Sequence, residues 1–479
     1  MKTEQWFHQK TEYDKYRDCP ARFLGWQMRT GKTKAIIDNA CWLAKECKIT
    51  GVLVIAPNGV HNNWAIRELP RHNWDNVSYC AFVWKNSNTF NDMEFDLFNN
   101  IAMNEQHIKW LCVNMESLII ERVQQAIKRF IRKSDVMVVY DESHHFAVPG
   151  AKRTSVARGL ARLCKYRRNL TGTMVENSPL QAFSQYELLE KGALGHDTYG
   201  SFKEDFAVYG QGYGPGGRRF PKLVGYKNVD ELKRRMAPYT SVVLRSDCED
   251  LPPVQVDQVY VELDDRIKAQ WKLCKANDLA FLEGMFLQAA LTGGAALSKL
   301  QQIEGGYWKD GASYRELVPP DSNAKMLVLL EEITLHNGQV IVWCQYLHEI
   351  DAISKVLANM HIKSGMVHGG VKDRPQVLES FRAGQFKILV AQPKAGGEGL
   401  DMSTASKIIW YSQTPDSIVR AQANERATAV GKEGVQIVDL VSPGGVDDYF
   451  LKLTIRKTTL AEDISRKGMR EVLEALSVC

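Results

Sequence analysis

The sequence of 479 residues lacks the features that mark membrane, secreted and zinc-binding proteins. No apolar run approaches the roughly 20 residues of a membrane span, and the N-terminal MKTEQWFHQK has no apolar signal-peptide core. The ten cysteines form no CxxC pair, and Cys41 and Cys47 have no histidine at zinc-finger spacing. We therefore expect a cytoplasmic protein without membrane contact, whose cysteines are reduced core thiols.

A strong charge imbalance is also missing. The chain carries 61 Lys and Arg against 56 Asp and Glu, a net charge of +5, which permits nucleic-acid binding without requiring it. With 44% hydrophobic and 24% charged residues, the composition is that of a globular protein. The length exceeds that of one ordinary hydrophobic core, so the chain is expected to form at least two domains.

Short apolar runs that end in polar residues predict buried parallel strands. These runs are VLVIAP (52–57), WLCVN (110–114), VMVVYDES (136–143), QVIVWCQ (339–345), FKILVAQ (386–392), SKIIWYS (406–412) and VQIVDLVS (435–442). Because helical segments separate them, we predict an α/β fold with two doubly wound parallel sheets. Ligands of such sheets bind at the carboxyl ends of the strands.

Residues 246–320 lack strand-like runs of this kind. Residues 264–306 predict helices that break at Gly293-Gly294. We therefore expect an N-terminal domain over 1–245, a helical insertion and linker over 246–320, and a C-terminal domain over 321–479.

The stretch GWQMRTGKTKAIID (25–38) has the strand, loop and helix context of a phosphate-binding loop. Backbone N–H groups at the helix start would hold phosphates, Lys32 would reach the terminal oxygens, and Thr33 would ligate Mg²⁺. Trp26 occupies the position where the strict loop pattern has its first glycine, and a GKT triplet alone also arises by chance. The loop therefore needs support from a second motif.

That support comes from VVYDESH (138–144), an apolar strand that ends in two carboxylates. Asp141 would hold Mg²⁺ through water, and Glu142 would orient an attacking water. The alternative is a helix N-terminus whose acidic residues favour the dipole. Because GKT and DESH both follow predicted strands, the nucleotide-hydrolysing interpretation is preferred.

Further segments, in order along the chain, resemble the motifs of Swi/Snf-type ATPases of helicase superfamily two. They are WFHQ (6–9), GKT (31–33), APNGVHNNW (56–64), DESH (141–144), RRNLTGTMVENSPLQAFSQYELL (167–189), RSDCEDLPP (245–253), VIVWCQYLHEIDAI (340–353), KAGGEGLDMSTAS (394–406) and QANERATAVGK (422–432). The resemblance extends over nearly the whole chain. It implies two RecA-like lobes with ATP and Mg²⁺ bound between them.

The resemblance also implies roles for individual residues. Catalysis is assigned to Lys32, Asp141, Glu142 and Arg426, and the metal to Thr33 and Asp141. Nucleotide binding is assigned to Gln9, Arg29, Thr30, Gly31, Lys32, Thr33, Lys34 and Gly399. Nucleic-acid contacts are assigned to Thr171, Thr173, Arg218, Arg219, Lys394, Gly396, Gly397 and Gln422. Arg426 would stabilise charge on the γ-phosphate, and Thr171 and Thr173 would couple the nucleotide to DNA.

Residues 209–226, YGQGYGPGGRRFPKLVGY, form a glycine-rich segment with basic and aromatic residues. Arg218, Arg219 and Lys222 beside Tyr213 and Phe220 would suit a hairpin tip that contacts DNA phosphates and stacks a base. The alternative is a surface loop with solvated charges.

The implied function is that of an ATP-dependent DNA helicase or translocase, acting as a monomer on duplex or branched DNA. By family analogy the tasks would be recombination, fork remodelling or branch migration in a phage-encoded protein. Two alternatives remain: an ATPase that remodels a protein–nucleic acid complex such as RNA polymerase on DNA, and a slow nucleotide-gated DNA-binding module.

Ala429 departs from the family pattern. It stands where the second arginine of the last motif, the arginine finger, is expected. Neither Arg420 nor Lys432 has the spacing of a substitute. Because such a finger greatly accelerates phosphoryl transfer, we expect ATP to bind but turn over slowly. Either the enzyme is naturally slow, or the alanine was introduced to hold the ATP state; we favour the second because the other motifs are intact.

Overall fold

The computed structural model describes residues 1–58, 60–85, 91–101, 107–172, 174, 178–213, 219–248, 254–284, 289–310, 313–371, 373–394, 402–427 and 434–461. Contacts divide the chain into two compact units. The first contains Met1–Tyr209 and Leu223–Glu249, and the second contains Gly210–Lys222 and Asp250–Thr458.

The first unit contains a parallel sheet of seven strands in the order β3-β4-β2-β5-β6-β1-β9. Its strands are β1 (Ala21–Trp26), β2 (Gly51–Ala56), β3 (Ser78–Val83), β4 (His107–Asn114), β5 (Val136–Asp141), β6 (Tyr166–Leu170) and β9 (Thr240–Val243). Two further strands, β7 (Ala207–Tyr213) and β8 (Arg219–Tyr226), form a separate two-stranded sheet, and the part of this sheet within Gly210–Lys222 is assigned to the second unit.

Ten helices accompany these strands in the described residues. They are α1 (Phe7–Tyr16), α2 (Lys32–Lys45), α3 (Val60–Asn63), α4 (Leu69–His72), α5 (Asn91–Asn100), α6 (Glu121–Lys133), α7 (Lys152–Ala161), α8 (Ala182–Leu189), α9 (Tyr199–Phe206) and α10 (Val229–Met236). Helix α6 is a typical amphipathic example, since it buries Val123, Ala126, Ile127 and Phe130 at intervals of three and four residues.

The second unit contains a six-stranded parallel sheet in the order β10-β17-β16-β13-β15-β14. Its strands are β10 (Val254–Tyr260), β13 (Gln339–Trp343), β14 (Ser364–Val367), β15 (Ile388–Ala391), β16 (Ala405–Trp410) and β17 (Val435–Val441), and β11 (Tyr307–Asp310) and β12 (Ser313–Glu316) form an antiparallel hairpin. The helices are α11 (Asp265–Gly284), α12 (Ala289–Glu304), α13 (Ala324–Thr334), α14 (Leu347–Asn359), α15 (Arg374–Arg382), α16 (Ser417–Glu425) and α17 (Val446–Ala461).

Alternate residues of the second sheet enter two different cores. Val340 and Val342 of β13 lie in one buried cluster, and Ile341 and Trp343 lie in another. Side chains of consecutive strand residues point to opposite faces, so both faces of this sheet are covered. This explains why the strands read as continuous apolar runs, and the predicted α/β fold with two doubly wound parallel sheets is confirmed.

The prediction for residues 246–320 is wrong in two respects. This range contains strand β10, which pairs with β17 along its whole length from Val254↔Val435 to Tyr260↔Val441. Helix α12 also continues through Gly293-Gly294 instead of breaking there. A buried cluster joins α11 and α12 to α17 through residues such as Ile267, Ile303 and Phe450, so tertiary packing outweighs the weak helix propensity of the glycines.

Among the described residues, no helix has the length and apolar character needed to cross a membrane. No disulfide joins the nine cysteines of the described ranges, and six of them are buried, as expected for core thiols.

Candidate active site

The loop between β1 and α2 carries the predicted phosphate-binding residues. Helix α2 begins at Lys32 and is preceded by Gly31, which has a φ of 79°. A Cβ atom at Gly31 would overlap the side-chain amide of Gln9. Glycine is therefore required here both by the left-handed backbone and by the close approach of α1.

The Lys32 ammonium lies over this loop. Its Nζ donates to the carbonyl oxygens of Trp26 at 2.9 Å and Gln27 at 3.2 Å. These oxygens are the kind of acceptor that a nucleotide phosphate would offer. Lys32 therefore stands at the start of a helix, among oxygen acceptors, where the helix dipole also favours an anion. This arrangement fits a phosphate group.

Trp26 does not obstruct the loop, although it replaces a glycine of the strict pattern. Its side chain is completely buried, and its indole N–H donates to Ser241 Oγ of β9 at 2.8 Å. The ring packs edge-on against His8 with centroids 5.0 Å apart. Trp26 is thus a core residue between neighbouring strands.

The N-terminal segment fixes the loop from one side. Gln9 Nε2 donates to the Gly31 carbonyl at 3.0 Å, and His8 Nε2 lies 2.7 Å from the Thr30 carbonyl. Burial lowers the pKa of His8, although the Thr30 carbonyl and the charge of Asp247 oppose this shift. His8 was missed by the sequence analysis, where its only signal was its position next to Gln9.

Three other residues of the loop region have different surroundings. Thr30 is buried and donates its hydroxyl to the Gln27 carbonyl at 2.7 Å, and Arg29 adopts a positive φ of 64°. Thr33 lies in the first turn of α2 and is half-buried. Each of these positions lies at the loop or the helix start, where the sequence predicted nucleotide contacts.

Lys34 lies in a different environment from Lys32. Its ammonium is buried and pairs with Asp38 Oδ2 at 2.7 Å, and the other oxygen of Asp38 accepts from Trp74 Nε1 at 2.8 Å. The Lys34 side chain is therefore part of the packing of α2. Only its backbone, at the helix start, is positioned for the predicted cofactor contact.

Asp141 is the last residue of β5 and is nearly buried. Its Oδ2 accepts from the Trp64 indole N–H at 2.8 Å, and its Oδ1 accepts from the Glu142 N–H at 3.1 Å. Trp64 was not among the predicted site residues, although it ends the APNGVHNNW segment. Its hydrogen bond fixes the orientation of the carboxylate that is predicted to hold the metal.

Glu142, His144 and Thr171 form a polar cluster next to Asp141. His144 Nδ1 lies 3.3 Å from Glu142 Oε2 and 2.9 Å from Thr171 Oγ1, and the Thr171 hydroxyl is 3.4 Å from the same carboxylate oxygen. Burial opposes ionisation of Glu142, but the hydrogen bond and charge of His144 and the charge of Lys32 lower its pKa to about 2. The structure thus brings the GKT, DESH and LTGT segments to one edge of the first sheet.

The LTGT segment also packs against the phosphate loop. A Cβ atom at Gly172 would lie 3.2 Å from Met28 Cγ, and one at Gly25 would overlap Met174. Small residues on both sides allow this close packing, so a displacement of the segment after β6 would be transmitted to the loop. Thr173 lies outside the described residues.

In the second unit, two arginines have different contacts: Arg420 lies within α16, and Arg426 directly follows it. Arg420 is buried, donates to both Asp439 oxygens at 2.8 and 2.7 Å, and donates to Gln413 at 2.6 Å. Arg426 is also buried and donates to the Pro393 carbonyl at 3.1 Å, with its guanidinium 5.5 Å from the Trp343 ring centre. The Arg420 guanidinium therefore forms its contacts with Asp439 and Gln413 inside the second unit. The catalytic role of Arg426 stays a prediction.

The structure describes only some of the remaining residues that were predicted to contact nucleic acid or nucleotide. Lys394 and Arg219 are exposed, and Gln422 is half-buried on α16. Residues outside the described ranges are Arg218, Gly396, Gly397, Gly399 and Ala429. Their predicted roles stay predictions.

Comparison with known proteins adds to this geometry. Residues 324–431 match the helicase conserved C-terminal domain. Over 71% of its length, the chain is 23% identical to an uncharacterized ATP-dependent helicase of Mycoplasma genitalium, covering 32% of that protein. It is 22% identical over 74% of its length to a SWI/SNF-related matrix-associated actin-dependent regulator of chromatin subfamily A-like protein 1 homolog of Caenorhabditis elegans, covering 50% of it.

Two further similarities extend along more of the chain. DNA repair and recombination protein RAD26 of Saccharomyces cerevisiae is 20% identical over 94% of the chain, which covers 46% of that protein. Among solved structures, the SWI2/SNF2 ATPase core of Sulfolobus solfataricus in complex with double-stranded DNA matches 99% of the chain and 95% of its own, with 20% identity and a TM-score of 0.42. The chain spans about a third to a half of the length of these curated relatives.

Proposed function

Since the chain belongs to the Swi/Snf-type group of helicase superfamily two, we propose that it is a DNA-dependent ATPase that moves along duplex or branched DNA. The observation that carries the proposal is the cluster of Lys32, Glu142, His144 and Thr171 at one edge of the first sheet. This cluster combines a phosphate-binding cation with an ionised carboxylate, as ATP hydrolysis requires.

The chemistry proposed for the first unit follows from these positions. The loop amides and Lys32 bind the phosphates, and Glu142 accepts a proton from, or orients, the attacking water. Thr33 and Asp141 would hold Mg²⁺, which neutralises phosphate charge when it is bound. The hydrogen bond from Trp64 keeps the Asp141 carboxylate in place.

The proposed coupling to DNA runs through the segment after β6. Thr171 contacts both Glu142 and His144, and Gly172 packs against Met28 of the phosphate loop. A DNA strand that contacts this segment would therefore act directly on the hydrolytic carboxylate. We propose that this contact makes ATP turnover depend on DNA.

The β7–β8 sheet is proposed to be a second DNA contact. Arg219 and Lys222 are exposed on β8, together with Phe220 and Val224. The cationic side chains would hold the phosphate backbone of DNA, while the exposed aromatic side chain beside them would stack on a base. This combination favours an end, fork or junction, where the continuous duplex is interrupted and base faces are more accessible, over a continuous duplex.

The finer role that we propose is recombination, fork remodelling or branch migration in a phage-encoded, cytoplasmic and monomeric protein. Remodelling of a protein–nucleic acid complex, such as RNA polymerase on DNA, would predict equal stimulation by all duplex substrates. A slow nucleotide-gated binding module would bind DNA in response to ATP without stimulated turnover.

One experiment separates these functions. Steady-state ATPase is measured without nucleic acid and with single-stranded DNA, duplex, forked DNA, a four-way junction and RNA, at several salt concentrations. Junction or forked DNA should stimulate most, and affinity should fall steeply with salt because phosphate contacts dominate. Equal stimulation by RNA would contradict the branched-DNA proposal, and no stimulation by any nucleic acid would contradict the translocase proposal itself.

The β7–β8 contact is tested by Arg219→Ala combined with Lys222→Ala, and separately by Phe220→Ala. The first change should weaken binding of all DNAs, whereas the second should reduce stimulation by forks and junctions more than by duplex. Arg234→Ala, at an exposed position of α10, is the control for loss of a positive charge elsewhere on the surface. Parent-like stimulation of both test variants would remove this sheet from the mechanism.

A further inference from the structure

A small recess, partly open to solvent, lies in the second unit and has room for about one water-sized group, about 10 Å³. The turn between α12 and β11, the start of α13 and the start of α14 surround it. Its lining includes Gly305, Tyr307, Glu316, His348, Glu349 and Tyr411. His348 and Glu349 lie in the segment 340–353, which resembles a family motif. The other four residues belong to none of the segments that resemble the family motifs.

Two buried polar atoms of this recess have no hydrogen-bond partner among the described residues: Glu349 Oε1 and the Tyr307 hydroxyl. Glu349 is only 2% exposed and Tyr307 only 1%. The second oxygen of Glu349 accepts from Ser412 Oγ at 2.6 Å and from the Tyr346 N–H at 3.2 Å. Glu349 Oε1 is therefore the acceptor that is left for a ligand.

Glu349 lines the recess, and its Oε1 lies close to the turn at Gly305. A Cβ atom at Gly305 would lie 3.1 Å from Glu349 Oε1 and 3.1 Å from Tyr307 Cε1. Asn323 Nδ2 holds the same turn by donating to the Gly305 carbonyl at 3.1 Å. A Cβ atom at Gly305 would therefore be crowded against Glu349 Oε1 and the Tyr307 ring, so glycine is needed for the close approach of this turn to both side chains.

The charges buried around Glu349 do not balance. Lys325 is the single ammonium of the cluster and pairs with Asp447, whereas Glu304, Glu349 and Asp447 are three carboxylates. Burial and then the charge of Asp447 raise the pKa of Glu304 to about 7. Burial likewise raises the pKa of Glu349 to about 7, although Lys325 acts in the opposite direction. A second cation would remove this excess of negative charge.

Aromatic rings form the rest of the surroundings. The rings of Tyr307 and His348 are 4.3 Å apart, and Tyr314 stacks on His348 at 4.9 Å. Glu316 adds a negative charge near His348, and Tyr411 and Cys344 face Glu349 from the strand side. Aromatic ring faces attract organic cations. The aromatic side chains and the carboxylates around the recess therefore favour the same kind of ligand, an organic cation.

We propose that this recess binds the ammonium end of an alkylamine, with Glu349 Oε1 and the Tyr307 hydroxyl accepting its N–H donors. The ammonium supplies the donors that both unpartnered atoms need and the positive charge that the cluster lacks. A free diamine or a lysine side chain of a protein would present the same group. This site is independent of the proposed ATPase function.

The test is calorimetric titration of the full chain with 1,5-diaminopentane, with N-acetyl-lysine amide and with 1-pentanol as an uncharged control. Saturable binding of an amine, but not of pentanol, is expected. Binding of the lysine derivative would identify a protein side chain as a possible source, and binding of the diamine alone would identify a free amine. Affinity should rise between pH 6 and pH 8, a range chosen to span the titration of glutamates with a raised pKa of about 7, because the ionised carboxylate is the binding form.

Variants connect the binding to the recess. Glu349→Gln should weaken amine binding by at least about 30-fold, because a buried charge pair is lost. Tyr307→Phe should weaken it by about 3- to 10-fold, which is the effect of one neutral hydrogen bond. Glu379→Gln, at an exposed position of α15, is the control, and circular dichroism verifies folding of each variant. Equal binding of amine and pentanol, or parent affinity in both recess variants, would overturn the proposal.

Discussion

His144 Nδ1 lies 2.9 Å from the hydroxyl oxygen of Thr171, and this contact joins the DESH and LTGT segments. The same His144 nitrogen lies 3.3 Å from Glu142 Oε2. A displacement of Thr171 would therefore change the surroundings of the carboxylate that we assign to hydrolysis. Together with the 3.4 Å contact from the Thr171 hydroxyl to the same Glu142 oxygen, this chain of contacts connects the proposed DNA contact with the proposed chemistry.

Thr171→Val tests this connection, because it keeps the shape of the side chain and removes the hydroxyl. We expect DNA-stimulated kcat to fall by about 10-fold, the effect of one hydrogen bond, with little change in ATP affinity. Thr154→Val, at a buried position of α7, is the control. Retention of full stimulation in Thr171→Val would show that coupling takes another route.

Lys32→Ala and Glu142→Gln should separate binding from turnover. Removal of the Lys32 ammonium should weaken ATP binding by at least about 30-fold, since phosphate charge loses its partner. Glu142→Gln should keep ATP binding and reduce kcat by about 10²- to 10⁴-fold, because only the activation of water is lost. Fluorescent-nucleotide binding and steady-state ATPase measure the two effects, with Lys152→Ala as a charge control. ATP hydrolysis at the parent rate by Glu142→Gln would make the catalytic assignment wrong.

Arg420 is expected to affect stability. Arg420→Ala leaves Asp439 buried without its guanidinium, which should cost about 3–5 kcal/mol in the free energy of unfolding. The double change Arg420→Met with Asp439→Leu should recover much of this loss, because neither charge then remains. Urea unfolding of the three proteins gives the comparison. A stable Arg420→Ala protein with strongly reduced kcat would instead favour Arg420 as a substitute finger.

The second unit should become more stable as the pH falls from 8 to 5.5. In the folded chain the pKa values of Glu304 and Glu349 are raised to about 7, above those of the unfolded chain. Between the unfolded and folded pKa values, the folded state therefore binds more protons, and this stabilisation is lost as the pH rises through 7. The expected gain is roughly 1–3 kcal/mol.

Glu349→Gln should reduce this pH dependence, because one of the two titrating carboxyls is removed. Urea unfolding of the parent and the variant at pH 5.5, 7 and 8 is the measurement. An identical pH profile in the two proteins would contradict the assignment of the raised pKa to Glu349.

Ala429→Arg tests the departure in the last motif. If the missing arginine limits the rate, the variant should raise DNA-stimulated kcat by at least about 10²-fold with little change in ATP affinity, as expected for a contact made mainly in the transition state. Ala429→Lys is the matched control, since it adds charge without the planar guanidinium. A variant no faster than the parent would mean that another residue already serves as the finger.

The sequence by itself determined the positions of seven buried strands, the strand, loop and helix context of residues 25–38, and the carboxylate-bearing end of β5. These are local properties: a buried parallel strand is a continuous apolar run, and a phosphate loop needs a helix start directly after a strand. Strand β10 was missed because VQVDQVY alternates polar and apolar residues, as a strand at the edge of a sheet does. Its pairing with β17, about 180 positions further along the chain, has no local signal.

Only the tertiary structure decided which polar groups meet. The contacts of Trp26 with Ser241, of Trp64 with Asp141 and of Arg420 with Asp439 join residues from separate strands and helices. The sequence does not distinguish an arginine of a catalytic motif from an arginine in a buried ion pair, because burial depends on packing from distant segments. The recess at Glu349 arises in the same way, since its unpartnered oxygen and its excess charge exist only where α12, α13, α14 and α17 come together.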